Sequence, residues 1–379
     1  MKRYSNLTFL LISLFSIISI PSCIIIINES GDKKKTIKEE QVKIIDTEFE
    51  EKETINIGVV TWGGYIGGQY WNKGFKANKA SNFYKDYGLK VEFKVLDEFS
   101  TSRNAFDAGE IDLLWCTADA FPIEVNGLSE FESQFLFIVD YSRGGDAIVV
   151  KKGIKNYSDL KGKKIAVAPM TPSHTLLLWT LEQANLTTDD VIIIEVPSAI
   201  DATTAFRGGA VDAAVVWSPD DQDCIEKVNG ATILMTSKDA PYLISDGFIA
   251  KKEFIEKHKK QLQQLYDGWM KSVAIINHSE KAKKEAAKIL AEDLSLPEYS
   301  AYHMIKNVRL ANHGDNMQFF GLDTDKNNFS GEKTYYEMIK KFQKLGYIGE
   351  DIPRWSTVSN SILVENSILK PTDKQAAEQ

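Results

Sequence analysis

Two stretches about a hundred residues apart carry the same punctuation. Residues 105–115 read Ala-Phe-Asp-Ala-Gly-Glu-Ile-Asp-Leu-Leu-Trp, and residues 205–217 read Ala-Phe-Arg-Gly-Gly-Ala-Val-Asp-Ala-Ala-Val-Val-Trp. Each reads as a helix end, a Gly stop, an Ile/Val-Asp pair and an apolar strand closing on Trp. The likeness reaches upstream. Tyr87-Gly-Leu-Lys-Val-Glu-Phe93 matches Ala184-Asn-Leu186 followed by Asp190-Val-Ile-Ile-Ile-Glu-Val196. The strand and polar loop from Ile55 match those from Lys164. One strand–loop–helix–strand–helix–strand unit is therefore present twice. Its period is too long for a solenoid, and its alternation of strands and helices predicts two similar α/β lobes. A length of 379 residues with 43% apolar content suits two such lobes.

The second unit opens on Lys163-Lys-Ile-Ala-Val-Ala-Pro-Met-Thr-Pro-Ser-His-Thr-Leu-Leu-Leu-Trp179. Ile165 to Ala168 reads as a buried strand, which Pro169 and Pro172 end. Thr171 or Ser173 can cap the following helix, with Pro172 at its first position if Thr171 is the cap. The helix buries Leu177, Leu181 and Ala184. A strand running into a polar turn and a helix N-terminus gathers free N–H groups and hydroxyls at one point. In open α/β sheets ligands lie off the carboxyl ends of strands, where this turn falls. An ordinary capped connection explains the same residues.

The matching turn of the first unit, Thr61-Trp-Gly-Gly-Tyr-Ile-Gly-Gly68, reads as a glycine-rich loop after the strand Ile55–Val60. It lacks the spacing of a nucleotide-binding fingerprint. Helix signals run to Tyr87, with Gly88 as a C-cap, and Lys90–Leu96 alternates as a strand. Ala147–Val150 looks like a strand leaving the first lobe, and Tyr242–Ala250 one returning to it. Two crossings make a hinge of the kind that closes two lobes on a ligand. From Lys251 to about Gly346 the chain is strongly helical, including Leu262–Ile276, Ser279–Leu294 and Gly331–Leu345.

The N-terminus is a targeting segment. Lys2 and Arg3 precede an apolar run from Leu7 to Ile20, then Ile20-Pro-Ser-Cys23. That ending resembles a bacterial lipobox, with Cys23 the lipidated residue; an uncleaved anchor through Ile24–Ile27 is the rival. Removing residues 1–22 takes away Lys2 and Arg3 and no acid, so the charge moves from −8 to −10. Residues 29 to about 53, with Lys33-Lys-Lys35 and four Glu in 48–53, read as a solvated tether. Neither charge nor motif suits nucleic acid. Cys116 and Cys224 could bridge in an exported protein or remain buried thiols, and no spacing supports zinc.

On these residues the chain resembles a periplasmic-type solute-binding protein of an ABC importer, in the nitrate/sulfonate/taurine group to which pyrimidine-precursor synthases are also similar. The matching pieces are the first strand with its aromatic-Gly loop, Phe106–Asp112, Asp140–Asp146, Asp159–Ala168, Ser173-His174, Ala214–Asp220 and Gly314–Phe320. The resemblance covers about residues 54–350. It departs at Thr171-Pro172 and at the loop Trp115-Cys-Thr-Ala-Asp119. It implies a type II two-lobed α/β fold with two hinge crossings and a helical C-terminal part packed on the first lobe. The expected division is 1–22 signal peptide, 23–53 lipidated Cys and tether, 54–148 lobe 1, 149–244 lobe 2, 245–350 the rest of lobe 1, and 351–379 a C-terminal tail.

The resemblance implies one ligand in the interlobe cleft, a permease as partner, no cofactor or metal, and a monomer at the outer face of the cytoplasmic membrane. Five loops are expected to converge there. They carry Trp62, Gly63, Gly64 and Tyr65; Trp115, Thr117 and Asp119; Thr171, Ser173 and His174; Trp217, Ser218 and Asp220; and Ser245 and Asp246. Arg103, Arg143 and Arg207 are the nearest candidates for binding an anion, but each reads first as solvated surface. Three Trp and three Asp without an assured Arg suit an amine, a cation or a zwitterion; a sulfonate or nitrate wants helix N-termini and an Arg or Lys. No catalytic set or cofactor fingerprint is visible. The alternatives are an enzyme of related fold, such as a pyrimidine-precursor synthase, and a sensing domain for a signalling partner.

Overall fold

The computed structural model describes residues 48–128, 132–323 and 330–372. The signal segment, Cys23 and nearly all of the tether lie outside the described residues. The chain divides into two units, 1–51 and 52–379, and the fold is that of the second.

Two sheets carry the repeat. The first runs β11 (Val308–Leu310), β4 (Gln134–Ser142), β10 (Ser245–Ala250), β3 (Leu113–Thr117), β1 (Thr54–Val59), β2 (Lys90–Val95), and the second β7 (Ile192–Glu195), β6 (Lys164–Val167), β8 (Ala213–Trp217), β5 (Asp146–Val150), β9 (Thr232–Thr236). In the first, β1 (Thr54–Val59) lies parallel between β2 (Lys90–Val95) and β3 (Leu113–Thr117). In the second, β6 (Lys164–Val167) lies parallel between β7 (Ile192–Glu195) and β8 (Ala213–Trp217). A strand from across the lobe boundary then adds antiparallel to each unit. It is β10 (Ser245–Ala250) on β3, and β5 (Asp146–Val150) on β8.

The shared punctuation has a structural cause. Helices Phe99–Asp107 and Ala199–Arg207 both stop at a glycine with left-handed φ, +74° at Gly109 and +78° at Gly209, which a side chain would oppose. The Asp after each stop staples the next strand. Asp112 Oδ2 accepts from Asn56 N–H at 2.8 Å, and Asp212 Oδ2 from Lys164 N–H at 3.0 Å. These aspartates set strand register and take no part in the cleft.

The passages between sheets differ from the expected ones. The whole of β5 pairs within the second sheet, so the chain leaves the first sheet at Arg143–Gly145 rather than at 148/149. It returns between β9 (Thr232–Thr236) and β10, over 237–244. Ser237 Oγ joins the two passages, 2.7 Å from Ser142 Oγ and accepting from Gly144 N–H at 2.7 Å.

Helices Lys259–His278, Glu280–Leu294 and Gly331–Lys344 pack on the first sheet. Around Trp269, the rings of Phe93, Phe137 and Phe248 stand with centroids 5.3–5.9 Å away, edge-on. Gly67 and Gly68 lie in the helix Ile66–Asn72 against that same indole, so half of the expected glycine loop is helix. The C-terminal segment is also more than a tail. Trp355, Val358, Leu363 and Leu369 are buried in the first core. Cys116 and Cys224 are buried free thiols. Among the described residues no helix is long and apolar enough to cross a membrane.

Candidate functional site

Three tryptophans from both sheets meet at one cavity of about 20 Å³. Trp62 follows β1, Trp115 lies in β3 and Trp217 ends β8; Asp246 of β10, Asp146 of β5, Val60, Pro172 and Ile244 complete the lining with them. Trp62, Pro172 and Trp217 are at strand ends or in the turns after them, the place where α/β sheets put ligands. Three larger grooves, of about 670, 500 and 240 Å³, lie elsewhere. None is lined by the buried Trp and Asp of both sheets, so the small cavity is the candidate.

The Trp62 ring is held from three sides. Its Nε1 donates to Asp140 Oδ2 at 3.1 Å. A Cβ at Gly145 would stand 2.2 Å from the indole, and one at Gly64 would stand 1.6 Å from Asp140 Oδ2. Both glycines are therefore seats for this pair of side chains. Gly63 is different, since its Cβ would strike the backbone of Met304 at 2.6 Å.

Behind the indoles lies a nest of buried acids. In the sheet register Thr117, Asp246 and Asp140 sit side by side on β3, β10 and β4 (Gln134–Ser142). Tyr65 Oη donates to Asp246 Oδ1 at 2.8 Å. Both Asp119 oxygens, Asp140 Oδ1 and Asp221 Oδ1 are buried with no hydrogen bond, as are Trp115 Nε1 and the hydroxyls of Thr117, Ser173, Thr175 and Ser245. Each such atom costs about 1–3 kcal/mol when left dry. Among the described residues no Lys or Arg pairs with Asp119, Asp140, Asp146 or Asp246.

Burial moves the acids upward. It pushes Asp119 up to about 6, against the pull of the Thr175 and Thr117 hydroxyls, which stand close but outside hydrogen-bond geometry. It pushes Asp146 up to about 7, opposed by Ser142. Asp140 is raised by burial and by Asp146, and Asp246 by burial and by Asp140, so the pair holds on to a proton at neutral pH.

A carboxyl raised on folding contributes stability that is complete below its ordinary value of 3.8 and lost as pH rises through the folded values. His174, lowered by burial to about 4 from 6.5, loses its contribution only as pH falls below 6.5. Above 6.5 the acids act alone. The solute-free protein is expected to lose several degrees of melting temperature between about pH 6.5 and 8.5, at roughly 2–4 °C per kcal/mol. Calorimetry across that range checks it, and a flat profile would place these carboxylates in water.

The other expected site residues divide three ways. Tyr65, Gly64, Thr117, Asp119 and Ser173 are buried and are not in the cavity lining. Thr171 is the N-cap position of helix Pro172–Gln183, but its Oγ1 donates to Ala168 O at 2.8 Å and caps nothing. Ser218 Oγ accepts from Asn307 Nδ2 at 3.1 Å, a bond from the second lobe to the first. His174 is not in the cavity lining. Its Nδ1 accepts from Met170 N–H at 3.3 Å, and its ring meets Tyr347 edge-on at 5.1 Å. Asp220 lines the groove of about 500 Å³ with Tyr302 and His303, and burial raises it to about 6.

None of the three arginines faces the cavity. Arg103 is buried rather than solvated; it pairs with Glu124 and lies 4.3 Å over the Trp115 ring. Arg207 pairs with Asp223 at 2.6 Å, and Arg143 lies 4.9 Å over Tyr242. Asp140, Asp146 and Asp221 were missed as site residues. The available signal was an Asp inside the apolar run Gln134–Ser142, which places a charge where a buried strand has no use for one. Among the described residues no three or more His, Cys, Asp or Glu are arranged to hold a metal ion.

Residues 49–291 match the NMT1-like family. Curated relatives in Brucella abortus, named as binding proteins, are 26% identical over 221 residues, 57% of this chain and 65% of their own length. The chain thus spans just under two thirds of those relatives. The taurine-binding periplasmic protein of Escherichia coli is 29% identical over 190 residues, covering 48% of this chain and 57% of that protein. Among solved structures, the periplasmic aliphatic sulphonate binding protein of Escherichia coli superposes with a TM-score of 0.63 at 19% identity, over 81% of this chain and 92% of that one. That likeness identifies the fold as the periplasmic-binding-protein fold.

Proposed function

The chain belongs to the NMT1-like family, and from that premise we propose that it is an extracytoplasmic solute-binding lipoprotein serving an ABC importer of the nitrate/sulfonate/taurine type. It captures one small polar solute between its lobes. The observation that carries this reading is the cavity, lined by Trp and Asp from both sheets and backed by buried polar atoms without partners. Such atoms are costly until something fills the space between them.

A binding role suits the chemistry better than catalysis. Burial pushes the Cys224 thiol up to about 12 and the Cys116 thiol well above its ordinary range, so neither offers a thiolate. His174 is engaged by its own helix turn. Native mass spectrometry of protein purified without refolding is expected to find one retained small molecule. Solute should change the intrinsic fluorescence, and single Trp→Ala changes at 62, 115 and 217 should each weaken binding at least tenfold. Unchanged affinity in all three would return the reading to an enzyme of related fold.

The lipid anchor rests on Ile20-Pro-Ser-Cys23 after an apolar run. Cys23→Ala is expected to release the protein from membranes or to block its processing. Absence of labelled palmitate in the wild-type protein would leave an uncleaved anchor or a secreted form.

A further inference from the structure

We infer that the solute is an organic cation bearing N–H donors, a protonated amine or amidinium, held by Asp146 and Asp246 beneath the three indoles. The inference rests on the solute-binding reading and names the chemistry of its ligand.

The unpaired groups set the sign. Asp246 and Asp140 lie directly opposite each other in the register of β10 and β4, and like charges so placed repel. Asp146 and Asp246 both line the cavity. Among buried atoms without a partner, the carboxylate oxygens of Asp119 and Asp140 are acceptors and Trp115 Nε1 is a donor in the cavity lining, while the orphaned Arg143 Nε belongs to the passage between the sheets and is outside that lining. An anion needs donors, and this cavity supplies acceptors. Arg103 and Arg207, which could have served an anion, are paired with Glu124 and Asp223.

The helix N-terminus that could have held an anion is already answered. Thr175, in the first turn of helix Pro172–Gln183, stands against Asp119 of the other lobe. That carboxyl lies beside the first turn of the helix, where its charge opposes an anion. The indoles of Trp62, Trp115 and Trp217 add cation–π attraction. A metal ion is a poor match, because no three acids among the described residues converge on one point. A quaternary ammonium would satisfy the indoles and leave the carboxylate oxygens dry. N–H donors satisfy both.

The test uses the full chain freed of retained solute, with matched probes: propylamine against propanesulfonate, and nitrate and tetramethylammonium beside them. Calorimetric titration is expected to give at least tenfold tighter binding for propylamine than for propanesulfonate, nitrate or tetramethylammonium. Asp246→Asn should lose that preference at least tenfold without lowering the melting temperature, since it relieves the repulsion with Asp140. Tighter binding of propanesulfonate or nitrate, or an Asp246→Asn protein with wild-type amine affinity, would overturn the cation and leave solute capture standing. No binding of any probe, together with no molecule retained in native mass spectrometry, would overturn both. If a retained molecule is found, an anion without a basic nitrogen refutes the inference and an amine supports it.

Discussion

Alanine at position 64 is expected to lower solute affinity more than a hundredfold while the first lobe stays folded. Gly64 has an ordinary φ, so the backbone itself accepts alanine; the obstacle is space. Its Cβ would stand 1.6 Å from Asp140 Oδ2, 2.3 Å from Asp140 Cγ and 2.8 Å from Trp62 Nε1. Asp140 is fully buried and already faces Asp246 on the next strand, so it cannot swing aside cheaply. Trp62 is blocked on its far edge by Gly145. Both side chains must leave the positions that define the cavity, and a hundredfold loss corresponds to about 2.7 kcal/mol. Titration of the wild type and the variant with the retained solute measures it. Gly63→Ala is the contrast, because its clash is with the Met304 and Ile305 backbone. It should cost melting temperature first. Wild-type affinity in the Gly64 variant would mean that Asp140 and Trp62 do not form the site.

The repeat was legible because it is written in backbone demands. A left-handed stop at Gly109 and Gly209, and a staple at Asp112 and Asp212, recur wherever the same unit recurs. Two sheets with the same central pairing follow from that. The three tryptophans were legible because Trp115 and Trp217 close the two copies of the repeat and Trp62 opens the polar loop after the first strand. What sequence could not supply was direction. His174 stands next to a cavity residue in the chain, yet its ring turns to Tyr347. Arg103 reads as a surface charge, yet Glu124, 21 residues further along the chain, is its buried partner. The acids Asp140 and Asp146 read as ends of a crossing, and only the register of β4 against β10 brings Asp140 beside Asp246. Such pairings depend on tertiary register, which a local pattern does not carry.

Replacing Ser173 with tryptophan is expected to hold the lobes apart and to abolish high-affinity capture. The cavity of about 20 Å³ has room for one water and not for an organic solute. A solute must therefore find the lobes further apart than they stand here. Among the described residues, the contacts that would have to part include the Asn307–Ser218 bond, the Lys341–Glu182 ion pair at 2.8 Å, the meeting of His174 with Tyr347 and Phe342, and the burial of Leu178, Ala199 and Trp217 against the first core. The partly exposed Lys341–Glu182 pair is worth well under about 1 kcal/mol. The passages at 143–145 and 237–244 are the segments free to take up the change in φ and ψ. Solute that touches both lobes favours the closed form by its differential affinity for it. By small-angle scattering the solute-free protein should be larger by on the order of 1 Å in radius of gyration, against about 20 Å for a folded chain of this size. Ser173 is fully buried at the start of the helix whose first turn meets Asp119, so a tryptophan there stands between the lobes. The variant should keep the larger radius with or without solute and bind more than a hundredfold more weakly. Identical scattering of the wild-type protein with and without a tightly bound solute would count against a two-lobe clamp, and would favour a rigid site that solute reaches through side-chain motion alone.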